Sequence, residues 1–265
     1  MTTGKSLLAA LALLAGCASA PSPDDDLVWS ASLARSLKRE SGEVVEVARF
    51  SRLNAAMKNS LGPWEPYVLM PANARTAYHL TRIDGMVALE ADASQGGSGL
   101  YRKIRIDPKT HPILEWRWRL PRQESDAAWR SSPPVLLSLG IDGDPAKLDI
   151  LDRIKLRMAK ALTAHGLPYA SLLYVWSADA PVGTVLRSPH TDRVRMVVVV
   201  SGDGQLDQWV DVRRNVREDY RLAFGEEPGD IVAIGVMTDV GDDGSPRRAF
   251  YGDITARQSA STAPR

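Results

Sequence analysis

The chain carries one cysteine, Cys17, in 265 residues. No intramolecular disulfide can therefore staple it, whatever the redox state of its surroundings. It also lacks a dominant charge: 33 Lys and Arg stand against 32 Asp and Glu, a formal net charge of +1 with the two signs interspersed. Nucleic-acid binders show a basic excess or patch, and this balance argues against that class. After the first twenty residues no apolar run is long enough to cross a bilayer as a helix. The four histidines, His79, His111, His165 and His190, fall in no spacing that suggests a triad or a metal site. His-Glu-x-x-His, Cys-x-x-Cys and phosphate-loop motifs are absent, which argues against a metal-dependent hydrolase. Gln95-Gly96-Gly97-Ser98-Gly99 misses the Gly-x-Ser-x-Gly spacing of a nucleophile elbow and reads as a turn.

What is present begins with a three-part secretory pattern: Lys5, an apolar stretch over 7–14, then small residues. It ends in Leu14-Ala15-Gly16-Cys17, which resembles a bacterial lipobox, so residues 1–16 are expected to be a signal and Cys17 the lipidated N-terminus. Acylation with two or more chains would anchor the protein stably to a membrane. Ala18 stands where Asp would mark inner-membrane retention, which favours an outer-membrane, periplasm-facing address. Residues 17–42 then form the lipidated start and a tether, of which 18–26 are small, prolyl and acidic. A short helix is expected within 27–39, where Leu27, Leu33 and Leu37 share a stripe.

From residue 44 the texture changes to short runs with period-two alternation, and an all-β fold is expected over 43–258, with 259–265 a frayed tail. Strands are predicted over 44–50, 64–70, 76–83, 86–93, 99–105, 111–120, 135–141, 171–176, 194–201, 208–213, 231–238 and 249–257. Asp84-Gly85 marks a type I′ hairpin between two of them. The run 194–201 is nearly all apolar and should be central and covered on both faces. One amphipathic helix is inserted at 145–166, with Asp144 as N-cap, Pro145 first, Gly166 as stop, and a core stripe of Leu151, Ile154, Met158, Ala161 and Leu162. Its basic residues read as a solvated face, with a membrane contact as the other option. A second short helix runs from an Asn215 cap to Gly225.

The stretch His-Pro-Ile-Leu-Glu-Trp-Arg-Trp-Arg-Leu, from His111 to Leu120, is the most informative. As a strand it places Leu114, Trp116, Trp118 and Leu120 on one face, and Glu115, Arg117 and Arg119 on the other. The indoles belong in a core, so the strand should lie inside a sheet.

Five segments in this order, Ile83-Asp84-Gly85, Leu114-x-Trp116-Arg117-Trp118, Tyr174-Val175-Trp176, Asp219-Tyr220-x-x-x-Phe224-Gly225 and Tyr251-Gly252-Asp253-Ile254, resemble the bacterial family called domain of unknown function 3047. The resemblance runs from about Phe50 to Ile254. It implies a galactose-binding-like jelly roll, a two-sheet antiparallel β-sandwich shared with carbohydrate-binding modules, and it implies no activity. The chain departs from the family pattern at Ser131-Ser132-Pro133-Pro134 and at Asp239-Val240-Gly241-Asp242-Asp243, where acidic pairs are usual.

Neighbouring guanidinium groups at Arg117 and Arg119 require carboxylates or a bound anion. Asp239 and Asp253, from late strands, are the expected partners. These groups are read either as a structural ion-pair network or, with Tyr174 and Trp176, as the lining of a ligand groove. In the groove, aromatic faces would stack on sugar rings while Arg and Asp bond hydroxyls. Asp239, Asp242, Asp243 and Asp253 offer oxygen ligands for Ca²⁺, but Asp242-Asp243-Gly244 is also ordinary turn chemistry, and no cofactor is expected. The reading that follows is a lipid-anchored, non-catalytic binding module for a glycan or other polar envelope ligand. Its rivals are a glycan-cleaving enzyme using Asp239 and Asp253 as its carboxylate pair and a partner-binding scaffold.

Overall fold

A computed structural model of the chain describes residues 29–56, 61–68, 75–94, 96–122, 133–162, 167–189, 191–240 and 244–259. Cys17, the expected signal and the part of the expected tether through residue 28 lie outside the described residues, as do His165, Gly166, His190, Asp242, Asp243 and the end of the tail.

Among the described residues there are thirteen strands: β1 (Val44–Ala48), β2 (Trp64–Tyr67), β3 (Ala77–Ile83), β4 (Met86–Ala93), β5 (Ser98–Ile106), β6 (Ile113–Arg119), β7 (Leu136–Ile141), β8 (Ala170–Ser177), β9 (Val185–Arg187), β10 (Val194–Ser201), β11 (Trp209–Asn215), β12 (Ile231–Thr238) and β13 (Arg247–Arg257). Three α-helices accompany them: α1 (Trp29–Ser36), α2 (Ile150–Leu162) and α3 (Val216–Phe224). One sheet has the order β11-β6-β13-β4-β3, with β1 also paired to β13; the other runs β2-β5-β12-β7-β8-β10-β9. The two sheets form a β-sandwich, as the jelly-roll resemblance implies. The pairing is antiparallel except between β8 and β10, which run parallel because β9 returns the chain along the outer side of β10.

The alternation of β6 is realised residue by residue. Leu114, Trp116 and Trp118 are at most 3% exposed, while Glu115, Arg117 and Arg119 are only partly covered. The inward residues meet β8 of the opposite sheet: Trp116 packs on Tyr174 at 5.0 Å between ring centroids, and Trp118 faces Trp176 at 6.4 Å. Trp116 and Trp118 themselves meet edge to face at 5.6 Å, a favoured aromatic geometry. Around these rings pack Leu89, Leu137, Leu139, Leu172, Tyr251 and Ile254.

Two polar groups that enter this core from β8 are paired, whereas the indole nitrogens of Trp116 and Trp118 are buried without a hydrogen-bond partner. The Tyr174 hydroxyl donates to Asp219 Oδ2 at 2.9 Å, and Arg214 grips both oxygens of that carboxylate, Nε sharing Oδ2 and Nη2 donating to Oδ1. Burial, and next to it the neighbouring Asp219 carboxylate, hold the Tyr174 phenol well above its usual pKa. The Trp176 indole donates to the Gly202 carbonyl at 2.9 Å.

The helices have legible local causes. Asn215 accepts from the Glu218 amide to cap α3, which ends at Gly225 in the left-handed region at φ 73°. α1 lays Leu33 and Ala34 on Val232 of β12, which is why β12 is covered on both faces. Asp84 (φ 50°) and Gly85 (φ 80°) make the expected hairpin turn.

Two expectations are corrected. Strand β10 is second from an edge, not central; α3 packs on its inward side, where the Phe224 ring lies 5.6 Å from the guanidinium carbon of Arg195, the residue in register with core Leu172. The inserted helix begins later than expected: Asp144 caps only a 3-10 turn, Pro145–Lys147, whereas the Asp149 carboxylate accepts from the Asp152 amide and caps α2. Of the stripe assigned to the core, Leu151 (59%) and Ile154 (46%) are exposed, because α2 packs through Asp152 and Leu156 instead. The side chains of Met158, Ala161 and Leu162 lie outside the described residues.

The aromatic contact between the sheets yields a stability expectation. Trp118→Ala should cost about 3–5 kcal/mol, read as a lowered urea midpoint with an unchanged slope. A loss below about 1 kcal/mol would contradict a packed inter-sheet role.

Candidate functional site

The outward face of the six-stranded sheet is organised by the register of β6 against β11. That pairing sets Glu115 opposite Arg213, Arg117 opposite Asp211, and Arg119 opposite Trp209. Each rung joins complementary groups, because directly opposed side chains on one face of an antiparallel pair touch. Arg117 grips Asp211 with two parallel bonds of 2.9 and 2.8 Å, and its guanidinium lies 5.5 Å from the Trp209 ring centre. Arg119 donates to Asp84 at the tip of the β3–β4 hairpin, and the Trp209 indole donates to the same carboxylate at 3.0 Å. Glu115 accepts from Arg213 on one side and from Arg257 of β13 on the other.

Strand β13 makes room for this arrangement. A Cβ at Gly252 would stand 2.5 Å from Arg117 Cγ, so only glycine lets the arginine stem lie flat across the sheet. Beside it, Asp253 accepts from the Ser51 amide at 2.9 Å and the Ser51 hydroxyl at 2.6 Å, with Arg49 at 3.4 Å. The result is a shallow depression of about 360 Å³ lined by Arg49, Glu115, Arg117, Asp211, Arg213 and Asp253, among others. It is open: the Arg117 side chain is 32% exposed and that of Asp211 is 73% exposed.

Of the residues expected to form a site, Arg117, Arg119 and Asp253 share this face. Tyr174 and Trp176 do not. Both are 0% exposed in the core, because they sit on the inward side of β8, behind β6 rather than beside it. Asp239 is also elsewhere: it follows β12 in the other sheet, with its carboxylate against Gly97. The carboxylates that neutralise the two arginines are therefore Asp211 and Asp84, supplied by the adjacent strand and a hairpin turn. The pair Asp239 and Asp253, on which a two-carboxylate cleavage mechanism would rest, is not assembled in one site. Among the described residues no group of three or more His, Cys, Asp and Glu side chains is placed to hold a metal ion. His111 is buried, with Nε2 2.6 Å from the Gly42 carbonyl oxygen, and His79 lies 3.1 Å from Glu90.

Trp209, Asp211 and Arg213 share this face without being among the residues expected there, although their signal is visible. The run Trp209-Val210-Asp211-Val212-Arg213 alternates with the same period as β6; what the pattern lacks is the identity of the neighbouring strand.

The fold and this face define a β-sandwich with a polar, open depression on one sheet. The chain belongs to the family described as "Protein of unknown function (DUF3047)", whose profile matches residues 62–255. Among curated proteins none matches the chain by sequence. Solved structures with similarity include the carbohydrate-binding module of family 22 from Clostridium thermocellum Xyn10B, at 9% identity and a TM-score of 0.32, covering 82% of this chain and 99% of that one. A second is CsCBM6-3 from Clostridium stercorarium in complex with cellobiose, at 10% identity and a TM-score of 0.30, covering 84% and 98%. A third is the Endo-D glycoside hydrolase domain from Streptococcus pneumoniae, at 7% identity and a TM-score of 0.31; the match covers 75% of this chain but spans only 22% of that one.

The exposure of the rungs sets their energetic scale. A double-mutant cycle of Arg117→Ala and Asp211→Ala should return a coupling of about 0.2–1 kcal/mol. A value above about 3 kcal/mol would place the pair among buried, structurally required ion pairs.

Proposed function

We propose that the chain is a non-catalytic glycan-binding module whose ligand lies across the outward face of β6, β11 and β13, contacting Arg117, Arg119, Trp209, Asp211 and Asp253. The observation that carries the reading is the open depression in which guanidinium and carboxylate groups face each other on two rungs, Glu115 with Arg213 and Arg117 with Asp211, continued along the same face by the Arg119–Trp209 rung. Rungs two residues apart on a strand stand about 6.8 Å apart, so the polar track extends about 14 Å. Sugar hydroxyls both donate and accept, and such a track offers donors and acceptors in turn. The indole of Trp209 adds an apolar edge for the C–H face of a ring. Weak exposed ion pairs suit this use, since a hydroxyl can displace one without loss of a buried bond.

The same proposal places the module in the cell envelope, held at the periplasmic face of the outer membrane by acyl chains on Cys17. The sequence Leu14-Ala15-Gly16-Cys17 supports this reading.

A glycan array of neutral and acidic oligosaccharides tests the binding reading. The parent protein should bind at least one class, and Arg117→Ala with Trp209→Ala should weaken that binding at least about tenfold while the melting temperature stays within a few degrees. Absence of parent binding, or an unaffected double variant, would refute it. Anchoring is tested apart: Cys17→Ser should abolish metabolic lipid labelling, and persistent labelling would contradict the anchor.

A further inference from the structure

The helix α2 presents a face that the sandwich does not use. On a helix turning about 100° per residue, Ile150, Leu151 and Ile154 fall within one sector about 100° wide. The buried pair Asp152 and Leu156 falls on the side opposite. The exposures match this geometry: Ile150 is 79%, Leu151 59% and Ile154 46% exposed, whereas Asp152 is 8% and Leu156 5%. Asp152 is further occupied on its inner side, 3.4 Å from the Thr191 hydroxyl. Three adjacent large aliphatic side chains left in water are an interaction surface rather than scattered exposure.

Charge narrows what the surface fits. Over residues 147–160 there are five basic residues, Lys147, Arg153, Lys155, Arg157 and Lys160, against two acidic ones, Asp149 and Asp152, a net +3 in a chain whose total is +1. Apolar side chains on one sector of a helix rich in Lys and Arg form the pattern of a helix that lies in the headgroup region of an anionic bilayer.

The position of the chain's start agrees. Ser30, in the first turn of α1, accepts through its hydroxyl from the Tyr169 amide at 2.9 Å, and Tyr169 follows α2 by seven residues. The root of the N-terminal segment is therefore within about 25 Å of the end of α2, and the thirteen residue-to-residue steps from Cys17 to Ser30 span at most about 45 Å. An acyl chain on Cys17 and the apolar face of α2 can enter the same bilayer surface.

We infer that α2 is a membrane-docking helix, in which Ile150, Leu151 and Ile154 insert among anionic lipid headgroups and the neighbouring basic residues meet their phosphates. The argument about reach rests on the anchor proposed at Cys17; the exposed apolar face and the charge do not. Docking would convert a protein swinging on a tether into one held in a fixed orientation.

The test uses the chain from residue 17 onward with Cys17→Ser. It keeps every described residue and omits both the acyl chains and the apolar 7–14 stretch, each of which would bind bilayers by itself. This protein should co-sediment with vesicles containing phosphatidylglycerol, bind pure phosphatidylcholine vesicles much less, and lose binding as salt is raised. The triple variant Ile150→Ser, Leu151→Ser, Ile154→Ser should bind at least about tenfold more weakly with an unchanged melting temperature, since the three side chains are exposed. Equal binding by parent and triple variant, or no parent binding to anionic vesicles, would overturn the inference. So would a parent dimer in sedimentation velocity that the triple variant converts to monomer, which would assign the face to a second copy of the chain. None of these outcomes depends on whether a glycan binds or Cys17 is acylated.

Discussion

The contact on which the structure turns is the stack of four aromatic rings between the sheets, Trp116 on Tyr174 and Trp118 on Trp176. Rings of this size bury roughly 150–250 Å² each, and they occupy alternate positions on two strands that belong to different sheets. Because β6 turns its indoles inward, it must turn Glu115, Arg117 and Arg119 outward. The charged face is thus the obligatory reverse of the aromatic core. A one-residue slip of β6 would exchange the two faces, which is why its register is strongly specified.

The outward face then follows from which strands flank β6. β11 brings Trp209, Asp211 and Arg213 into direct opposition, and β13 brings Arg257 and the space above Gly252. Asp84 illustrates how one residue serves two levels: its positive φ closes the β3–β4 hairpin, and its carboxylate receives Arg119 and the Trp209 indole. Exposed ion pairs contribute little to folding. In the proposed reading such a face is a surface held ready for polar contacts and not a brace.

Much of the fold could be read from alternation alone. The predicted strands 86–93, 194–201 and 231–238 coincide with β4, β10 and β12, because long runs with uninterrupted apolar or period-two texture have clear ends. β9 escaped, since three residues flanked by turns carry no periodicity. The candidate site was legible only by half. Period two tells which side chains share a face but not which strand lies alongside, so it sets Arg117 and Arg119 together on one face of β6 without revealing that Asp211 and Asp84 are the carboxylates that meet them. Tyr174 and Trp176 share a face of β8 as expected, yet that face is the core side. On α2 the most apolar stripe was assigned inward, whereas the helix buries Asp152 and Leu156; a partner outside the sandwich is a physical reason for such an inversion.

The central claim is that polar ligands are received on the outward face of the six-stranded sheet. Nuclear magnetic resonance titration with an array-positive oligosaccharide reads this most directly, through the indole and guanidinium N–H signals. The account predicts that the Trp209 indole and the Arg117 and Arg119 side chains shift with ligand, while the indoles of Trp116, Trp118 and Trp176 stay in place. Shifts confined to residues of the seven-stranded sheet, with Trp209 and Arg117 unmoved, would contradict it.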